Sequence, residues 1–159
     1  MTQELADPDL DTQMDLEKLL HYRVQRLASK MELITSRKVL AGSGVHIGEW
    51  RLICLLREHG QTNHKTISRK LSLDPGRTSK LLKAAEMKDM IVRTSDPNDG
   101  RASLFALTAV GKDLHEQLWP KAVEVADGFH SEFATPELRS LNSMLDRAIE
   151  YANSRIFGD

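Results

Sequence analysis

Apolar positions recur with helical spacing at both ends of the chain. From about Asp11 to Leu40 they follow at steps of three or four residues, as Leu16, Leu20, Val24, Leu27, Met31 and Ile34. Such steps place side chains on one helix face, and the glycines of AGSG at 41–44 end this first helix. Residues 1–10 carry no such pattern and are expected to be frayed. Thr135-Pro136-Glu137 starts a last helix, whose apolar positions are Leu138, Leu141, Leu145, Ala148 and Ala152.

Three further helices are predicted in the middle of the chain. The first spans about Ile47–His59, with Trp50, Ile53, Cys54 and Leu56 on one face. The second begins at Thr62 or Asn63 and runs to about Leu71, because either side chain can accept from free backbone N–H groups. The third runs from Pro75 to Lys88 behind the N-cap Asp74. It is predicted to bury Leu81, Leu82 and Ala85 and to expose Arg77, Thr78, Ser79, Lys80 and Lys83.

Two short helices, a tight turn and a basic, hydroxyl-rich second helix are typical of a helix-turn-helix. Residues 90–95 and 103–108 follow as strands around a tip of turn-forming residues, Asp96-Pro97-Asn98-Asp99-Gly100-Arg101. After Thr108, a suitable N-cap, a long helix is predicted to about Phe133. Pro120 lies inside it, so a kink or break is expected near Leu118.

Charge is unevenly distributed along the 159 residues, although the net charge is only −1. Residues 51–101 hold 11 lysines and arginines against 6 aspartates and glutamates, whereas the remainder holds 11 against 17. The middle third alone therefore favours nucleic-acid binding, and a solvated basic face without a partner is the alternative. The acidic N-terminus lacks the pattern of a secretion signal, and no apolar run has the length of a membrane span, so an intracellular protein is expected. A single cysteine, Cys54, excludes an intrachain disulfide.

The residues from Ile91 to Gly111 resemble the wing signature of the MarR (multiple-antibiotic-resistance regulator) family. The matching positions are Arg93, Asp96, Pro97, Asp99, Arg101, Ala102, Leu107, Thr108 and Gly111. The runs GEWRLICLLREHG and TISRKLSLDPGRTSKLLK resemble the helices that precede the wing in that family. Two positions depart from it: Asp89 stands where the family has a glycine that ends the recognition helix, and Ala85 replaces a larger apolar residue. Aspartate tolerates the left-handed conformation, so the turn at Asp89 is expected to survive.

The resemblance implies a mainly α fold with a small β-hairpin wing, a cytoplasmic winged helix-turn-helix transcription factor that acts as a homodimer. Residues 11–44 and 112–157 would form a helical dimerisation region, and residues 45–111 the DNA-binding domain. The implied function is repression at a palindromic operator, relieved by a small ligand such as an aromatic acid. The alternatives are a ligand-responsive activator and a winged-helix module for protein assembly without DNA.

Within this family arrangement, the recognition helix enters the major groove and the wing enters the adjacent minor groove. Arg77 and Lys80 are suited to guanine edges and Thr78 to a thymine methyl group. Arg101 suits the narrow, negative minor groove, with Asp99 placed to orient it. The alternative is that Asp99 and Arg101 form a surface ion pair that contributes little to stability. The expected DNA-binding set is Lys65, Arg69, Arg77, Thr78, Ser79, Lys80, Lys83, Asp99 and Arg101. Three of these residues, Lys65, Arg69 and Lys83, are expected to contact mainly phosphates.

Other kinds of site are weaker in the sequence. A ligand crevice between the lobes, as in the family, would be lined by His21, Arg26, His46 and Trp50, although Trp50 also suits the core. The six histidines lack metal-ligand spacing, so no metal and no cofactor is predicted. Cys54 is expected to be a small buried residue rather than a redox sensor. Ser43 and His46 have no supporting third group, and no enzyme is expected.

Overall fold

The structure is a computed structural model that describes residues 15–97 and 102–157. The chain forms two compact units, one that ends at Trp119 and one that begins at Pro120. Helices dominate, as predicted. In chain order the elements are α1 (Leu20–Lys38), α2 (Ile47–His59), β1 (Thr62–Asn63), α3 (His64–Leu71), α4 (Pro75–Met87), β2 (Ile91–Ser95), β3 (Ser103–Leu107), α5 (Ala109–His130) and α6 (Thr135–Phe157).

A small antiparallel sheet with the strand order β1-β3-β2 adjoins the helix-turn-helix. The predicted hairpin is confirmed, with Ile91 opposite Leu107 and Ser95 opposite Ser103. Strand β1 pairs with the other edge of β3, where Thr62 lies opposite Phe105. The sequence did not predict β1, because a strand of two residues shows no alternation of apolar and polar positions. The sheet thus joins the start of α3 to the wing.

The helices of the helix-turn-helix begin where the capping residues predict. Asn63 Oδ1 accepts from the backbone N–H of Thr66 at 2.9 Å. Asp74 Oδ1 accepts from the backbone N–H of Arg77 at 2.8 Å, and Pro75 occupies the first turn of α4. Each cap satisfies a backbone donor that the helix itself leaves free. The ends of both helices are therefore fixed by local chemistry.

The core of the first unit lies between α2, α3, α4 and the sheet. Its least exposed side chains include Leu52, Ile53 and Ile67, each with no exposed surface. Leu82 and Ala85 of α4 are buried as predicted, but Leu81 is only half-buried. Leu82 and Ala85 share the face of α4 that packs against the core, whereas Leu81 lies at the margin of that face. Cys54, likewise, is half-buried rather than fully enclosed.

The junction between the wing and α5 is held by close backbone contacts. Asp89 adopts the left-handed conformation with φ 53°, as expected for the residue at the glycine position. The backbone N–H of Thr108 donates to the Met90 carbonyl oxygen at 3.2 Å, and its hydroxyl donates to the Asp89 carbonyl oxygen. The Thr108 hydroxyl also accepts from the backbone N–H of Gly111 at 3.1 Å, which confirms Thr108 as the cap of α5. At Gly111 the helix backbone lies directly against the end of α4 and the start of β2.

Two long helices differ from their predicted bounds. A single helix from about Asp11 is wrong, because Asp15 caps a short 3₁₀ turn at Leu16–Lys18 and Leu19 is extended before α1 begins. Of the kink or break expected near Leu118, the break is wrong, since α5 continues through Pro120 to His130. Proline removes one backbone donor, and the other hydrogen bonds of α5 suffice to continue the helix. The frayed segment predicted at residues 1–10 lies outside the described residues.

Each terminal helix exposes an apolar stripe within its own unit. On α1, Leu20, Val24, Leu27 and Ile34 are each more than 40% exposed. On α6, exposed apolar side chains include Met144, Leu145 and Ile149. A contiguous exposed apolar stripe on a monomer is typical of an interaction surface. No helix within residues 15–97 and 102–157 is long and apolar enough to cross a bilayer.

Candidate nucleic-acid interface

The first turns of α4 present cationic and hydroxyl side chains to solvent. Arg77, Ser79, Lys80 and Lys83 are exposed, as the sequence predicted. Arg77 Nε lies 3.2 Å from Asp74 Oδ2 in a pair whose two side chains are both more than half exposed. Such an exposed pair is worth little, so the guanidinium can exchange the carboxylate for another anion at small cost. The N-terminal half of α4 therefore offers movable positive charge.

The Asp74 carboxyl group, which caps the start of α4, is held in its charged form. The backbone N–H of Arg77 keeps the pKa of the Asp74 carboxyl below its ordinary value, and the guanidinium of Arg77 acts in the same direction. The desolvation of the carboxyl opposes both effects. The cap is thus ionised at neutral pH, and it orients the first turn of α4.

The expected placement of Thr78 on the exposed face is wrong. Thr78 has no exposed surface, and its hydroxyl donates to the Asp74 carbonyl oxygen at 2.9 Å. Ser68 Oγ lies 2.7 Å from the same hydroxyl and must donate to it, since the Thr78 proton is already used. Thr78 therefore joins α3 to α4 and cannot reach a base. Its spacing gave the signal, because steps of four and three lead from Thr78 to Leu82 and Ala85, which are buried.

A groove of about 680 Å³ lies between α3, α4 and the wing strands. Three residues that the sequence assigned to DNA line it: Lys65, Ser79 and Lys83. His64 and Arg93 also line it, and the sequence assigned neither to the DNA-binding set. Arg69, expected to contact phosphate, lies exposed on α3. The groove thus continues the basic surface of α4 toward the wing.

Arg93 is fixed across the two long strands of the wing. Its Nε donates to Ser103 Oγ at 2.8 Å, and its guanidinium carbon lies 6.0 Å from the centre of the Phe105 ring. Arg93 and Phe105 are paired across the sheet. Alternation along β2 is enough to predict the face of the sheet on which Arg93 lies. It does not predict which residues of β3 and α4 lie beside Arg93 on that face. A guanidinium held in this way is suited to a phosphate oxygen.

The wing tip is the part of the expected interface that lies beyond the described residues. Asp99 and Arg101 fall within residues 98–101, so their predicted minor-groove role rests on the sequence. The stem below them is closed by a hydrogen bond from the backbone N–H of Asp96 to the Ala102 carbonyl oxygen, 3.1 Å long. The tip is therefore carried by a paired hairpin.

The C-terminal end of the recognition helix is joined to the start of α2 by an ion pair whose carboxylate is buried, whereas the Lys88 side chain is 36% exposed. Lys88 Nζ lies 2.7 Å from Glu49 Oε2, and it donates to the Gly44 carbonyl oxygen at 3.0 Å. Glu49 is only 3% exposed, and its Oε2 also accepts from the backbone N–H of His46 at 2.9 Å. Because a buried carboxylate needs such partners, Lys88 fixes the C-terminal end of α4 to the 44–49 segment. No pattern in the sequence indicated this pair, whose members are 39 residues apart.

The four residues expected to line a ligand crevice occupy different settings. Arg26 pairs with Glu17 at 3.2 Å and lines an open cavity of about 410 Å³ on α1. His21 is exposed on α1, and His46 is exposed at the N-cap of α2. Trp50 is only 6% exposed. Trp50 therefore belongs to the core, the alternative the sequence left open for it, and little of its indole is available as a stacking wall.

Trp50 is the first ring of an aromatic stack between α2 and α5. Its ring centre lies 5.7 Å from that of His115, which in turn lies 5.0 Å from that of Trp119. Burial lowers the pKa of His115 below its ordinary value; the charge of Arg57 acts in the same direction and that of Glu116 opposes both. The stacked imidazole is therefore neutral at physiological pH, which suits a ring held between two indoles.

Cys54 and the loop before α2 show structural rather than reactive chemistry. Burial raises the pKa of the Cys54 thiol to about 11, so little thiolate is present at neutral pH. The Ser43 hydroxyl donates to the Leu40 carbonyl oxygen at 2.7 Å and accepts from the Val45 N–H, which shapes the loop. In the described part of the chain, no three His, Cys, Asp or Glu side chains cluster as metal ligands do.

Comparison with known proteins agrees with this geometry. The MarR family model matches residues 45–103, which include α2, the helix-turn-helix and the first strand of the wing hairpin. The uncharacterized HTH-type transcriptional regulator YxaD of Bacillus subtilis is 34% identical over 96 residues, covering 60% of this chain and 67% of that protein.

Solved structures share the fold at low sequence identity. The PcaV transcriptional regulator of Streptomyces coelicolor, in complex with its natural ligand, aligns with a TM-score of 0.77 at 19% identity, covering 88% of this chain and 98% of that one. The MepR–DNA complex of S. aureus aligns with a TM-score of 0.75 at 20% identity, covering 84% and 98%. The capped basic helix, the paired wing and these matches together place the chain in the MarR family of DNA-binding, winged helix-turn-helix transcriptional regulators.

Proposed function

We propose that the protein is a homodimeric repressor that binds a palindromic operator and is released by a small-molecule effector. The observation that carries the proposal is the continuous basic surface formed by α4, the groove and the wing. Arg77, Lys80 and Lys83 lie exposed on α4, and Lys65 and Arg93 extend the positive charge to the wing. A helix in the major groove meets base edges and phosphates, so this surface suits duplex DNA.

Dimerisation is supported by the exposed apolar stripes of α1 and α6, each considered within its own unit. Leu20 is 75% exposed and Ile149 is 57% exposed, and the neighbouring apolar positions of each helix are also open to solvent. Burial of such surface is favourable by about 25 cal/mol per Å². A second copy of the chain, with the same stripes, provides the surface they need. Two recognition helices about one DNA turn apart would then match a palindrome.

Effector binding rests on the family and on one structural neighbour, whose structure contains its natural ligand. Aromatic acids remain the class to test first, and His21, Arg26 and His46 remain the candidate contacts. A ligand relieves repression only if it binds one arrangement of the recognition helices more tightly than another. The module for protein assembly without DNA is disfavoured, because assembly alone does not require a basic helix and a basic groove side by side.

Replacing Arg101 with alanine is expected to weaken operator binding by about 1–3 kcal/mol, or about 5- to 150-fold in affinity. The change removes the guanidinium assigned to the minor groove and leaves the paired stem of the wing intact. The measurement is a fluorescence anisotropy titration of a duplex that the purified protein selects from random-sequence DNA.

Two variants control for this result. Arg57→Ala removes an equal charge from the exposed surface of α2 and should bind as the wild type does. Arg101→Lys keeps the charge but not the planar fork, and it should recover only part of the affinity. Wild-type affinity in Arg101→Ala would refute the role of the wing tip.

A further inference from the structure

His64 occupies a position in the groove that the family assignment does not explain. It is the first residue of α3, and its ring lines the groove between α3, α4 and the wing. Its Nε2 lies 3.1 Å from Ser79 Oγ, on the exposed part of the recognition helix. An ionisable ring therefore stands beside the surface through which α4 is proposed to contact DNA.

The hydrogen bonds of Ser79 determine which nitrogen of His64 carries a proton. The Ser79 hydroxyl donates its only proton to the Pro75 carbonyl oxygen at 2.9 Å. Toward His64 the hydroxyl can therefore only accept, so Nε2 of the imidazole must carry a hydrogen. In the neutral ring Nδ1 is then unprotonated, and it is the nitrogen that takes up a second proton.

The described residues that line the groove carry more positive than negative charge. Lys65 on α3, Lys83 on α4 and Arg93 on β2 contribute three positive charges, and Glu86 on α4 contributes one negative charge. The groove residues of β1 and of the described part of β3 are uncharged. A phosphodiester in the groove would add a negative charge beside the ring, and a nearby negative charge favours imidazolium.

We propose that His64 is a proton-linked contact to the DNA backbone. Entry of a backbone phosphate into the groove is accompanied by uptake of one proton at His64 Nδ1 in each protomer. The imidazolium then donates to Ser79 through Nε2 and interacts with the phosphate as a cation. This inference rests on the proposed DNA-binding function, and it makes affinity for DNA rise as pH falls.

The test compares wild type with His64→Gln between pH 6 and pH 8 at fixed salt. Glutamine keeps an N–H that can donate to Ser79 but takes up no proton. Affinity for a duplex selected from random-sequence DNA is measured by anisotropy. Between pH 6 and pH 8, wild-type affinity should fall more than that of His64→Gln, by up to about 100-fold for each bound protomer, because uptake of one proton changes affinity about tenfold per pH unit. His59→Gln, an exposed change at the end of α2, should keep the wild-type pH dependence.

Calorimetry in two buffers of different ionisation enthalpy gives an independent readout. Wild type should take up about one more proton per protomer on binding DNA than His64→Gln does, at a pH near 7. Equal pH dependence and equal proton uptake in the two proteins would overturn the role of His64 while leaving DNA binding established. Failure of the wild type to bind any selected duplex would instead overturn the proposed function, and this inference with it.

Discussion

Replacing Gly111 with alanine is expected to lower the free energy of unfolding by about 3 kcal/mol, through overpacking at a site with no room to relax. A Cβ atom at Gly111 would lie 2.1 Å from the Met90 carbonyl oxygen and 3.1 Å from Leu107 Cδ2. The carbonyl cannot move away freely, because it accepts from the backbone N–H of Thr108 at the junction of the wing and α5. The added methyl group must therefore separate α5 from the end of the helix-turn-helix.

Gly128→Ala provides the matched control in the same helix. A Cβ at Gly128 meets no atom within 4 Å, so alanine there should stabilise α5 by up to about 1 kcal/mol through helix propensity. Urea unfolding monitored by circular dichroism, at one protein concentration for all variants, measures both effects. If the two alanine variants had the same stability, close packing at Gly111 would not be the reason for the glycine.

Replacing Lys88 with methionine is expected to cost about 3 kcal/mol of unfolding free energy, because it leaves a buried carboxylate without its cation. Glu49 is 3% exposed and would keep only the N–H of His46 among the partners described above. The loss should also loosen the C-terminal end of α4, since Lys88 connects this end to the 44–49 segment. DNA affinity at temperatures well below the unfolding transition should change less than stability does.

Two variants show whether the unpaired charge is the cause. Lys112→Met changes an exposed lysine on α5 and should alter stability by less than about 0.5 kcal/mol. Adding Glu49→Gln to Lys88→Met removes the unpaired charge and should recover part of the lost stability. If the double variant were less stable than Lys88→Met, burial of the carboxylate would not explain the effect.

Features fixed by neighbouring residues were predictable from the sequence. Asn63 and Asp74 cap helices through backbone groups only three residues away, so a local pattern was enough to locate the starts of α3 and α4. The hairpin stem and the left-handed Asp89 followed in the same way from turn chemistry and a known motif.

Features that depend on distant partners were not predictable in this way. Thr78 looked like an exposed polar residue until its contact with Ser68, ten residues away, showed that it joins two helices. His64 became a candidate contact only because the fold brings its ring to Ser79, which is 15 residues later in the chain. Hydrophobic periodicity says on which face a side chain lies, but it does not say which polar group the tertiary fold brings to meet it.

The proposed ligand crevice shows the same limit for a site built from several elements. Trp50 was placed on the correct helix, and its partners His115 and Trp119 lie on α5, more than 60 residues later in the chain. Only the packing of α2 against α5 decides that the indole is buried rather than open to a ligand. The position of Trp50 in the sequence does not show whether its indole is buried or open to a ligand.

The most direct test of the account is the stoichiometry and salt dependence of binding to a selected palindromic duplex, measured by sedimentation and anisotropy. We expect two protomers per duplex and an affinity that falls by about 1000-fold or more between roughly 50 and 200 mM salt, as the release of counterions from several phosphates requires. A single protomer per duplex, or an affinity that does not change with salt, would contradict a pair of basic recognition helices on DNA.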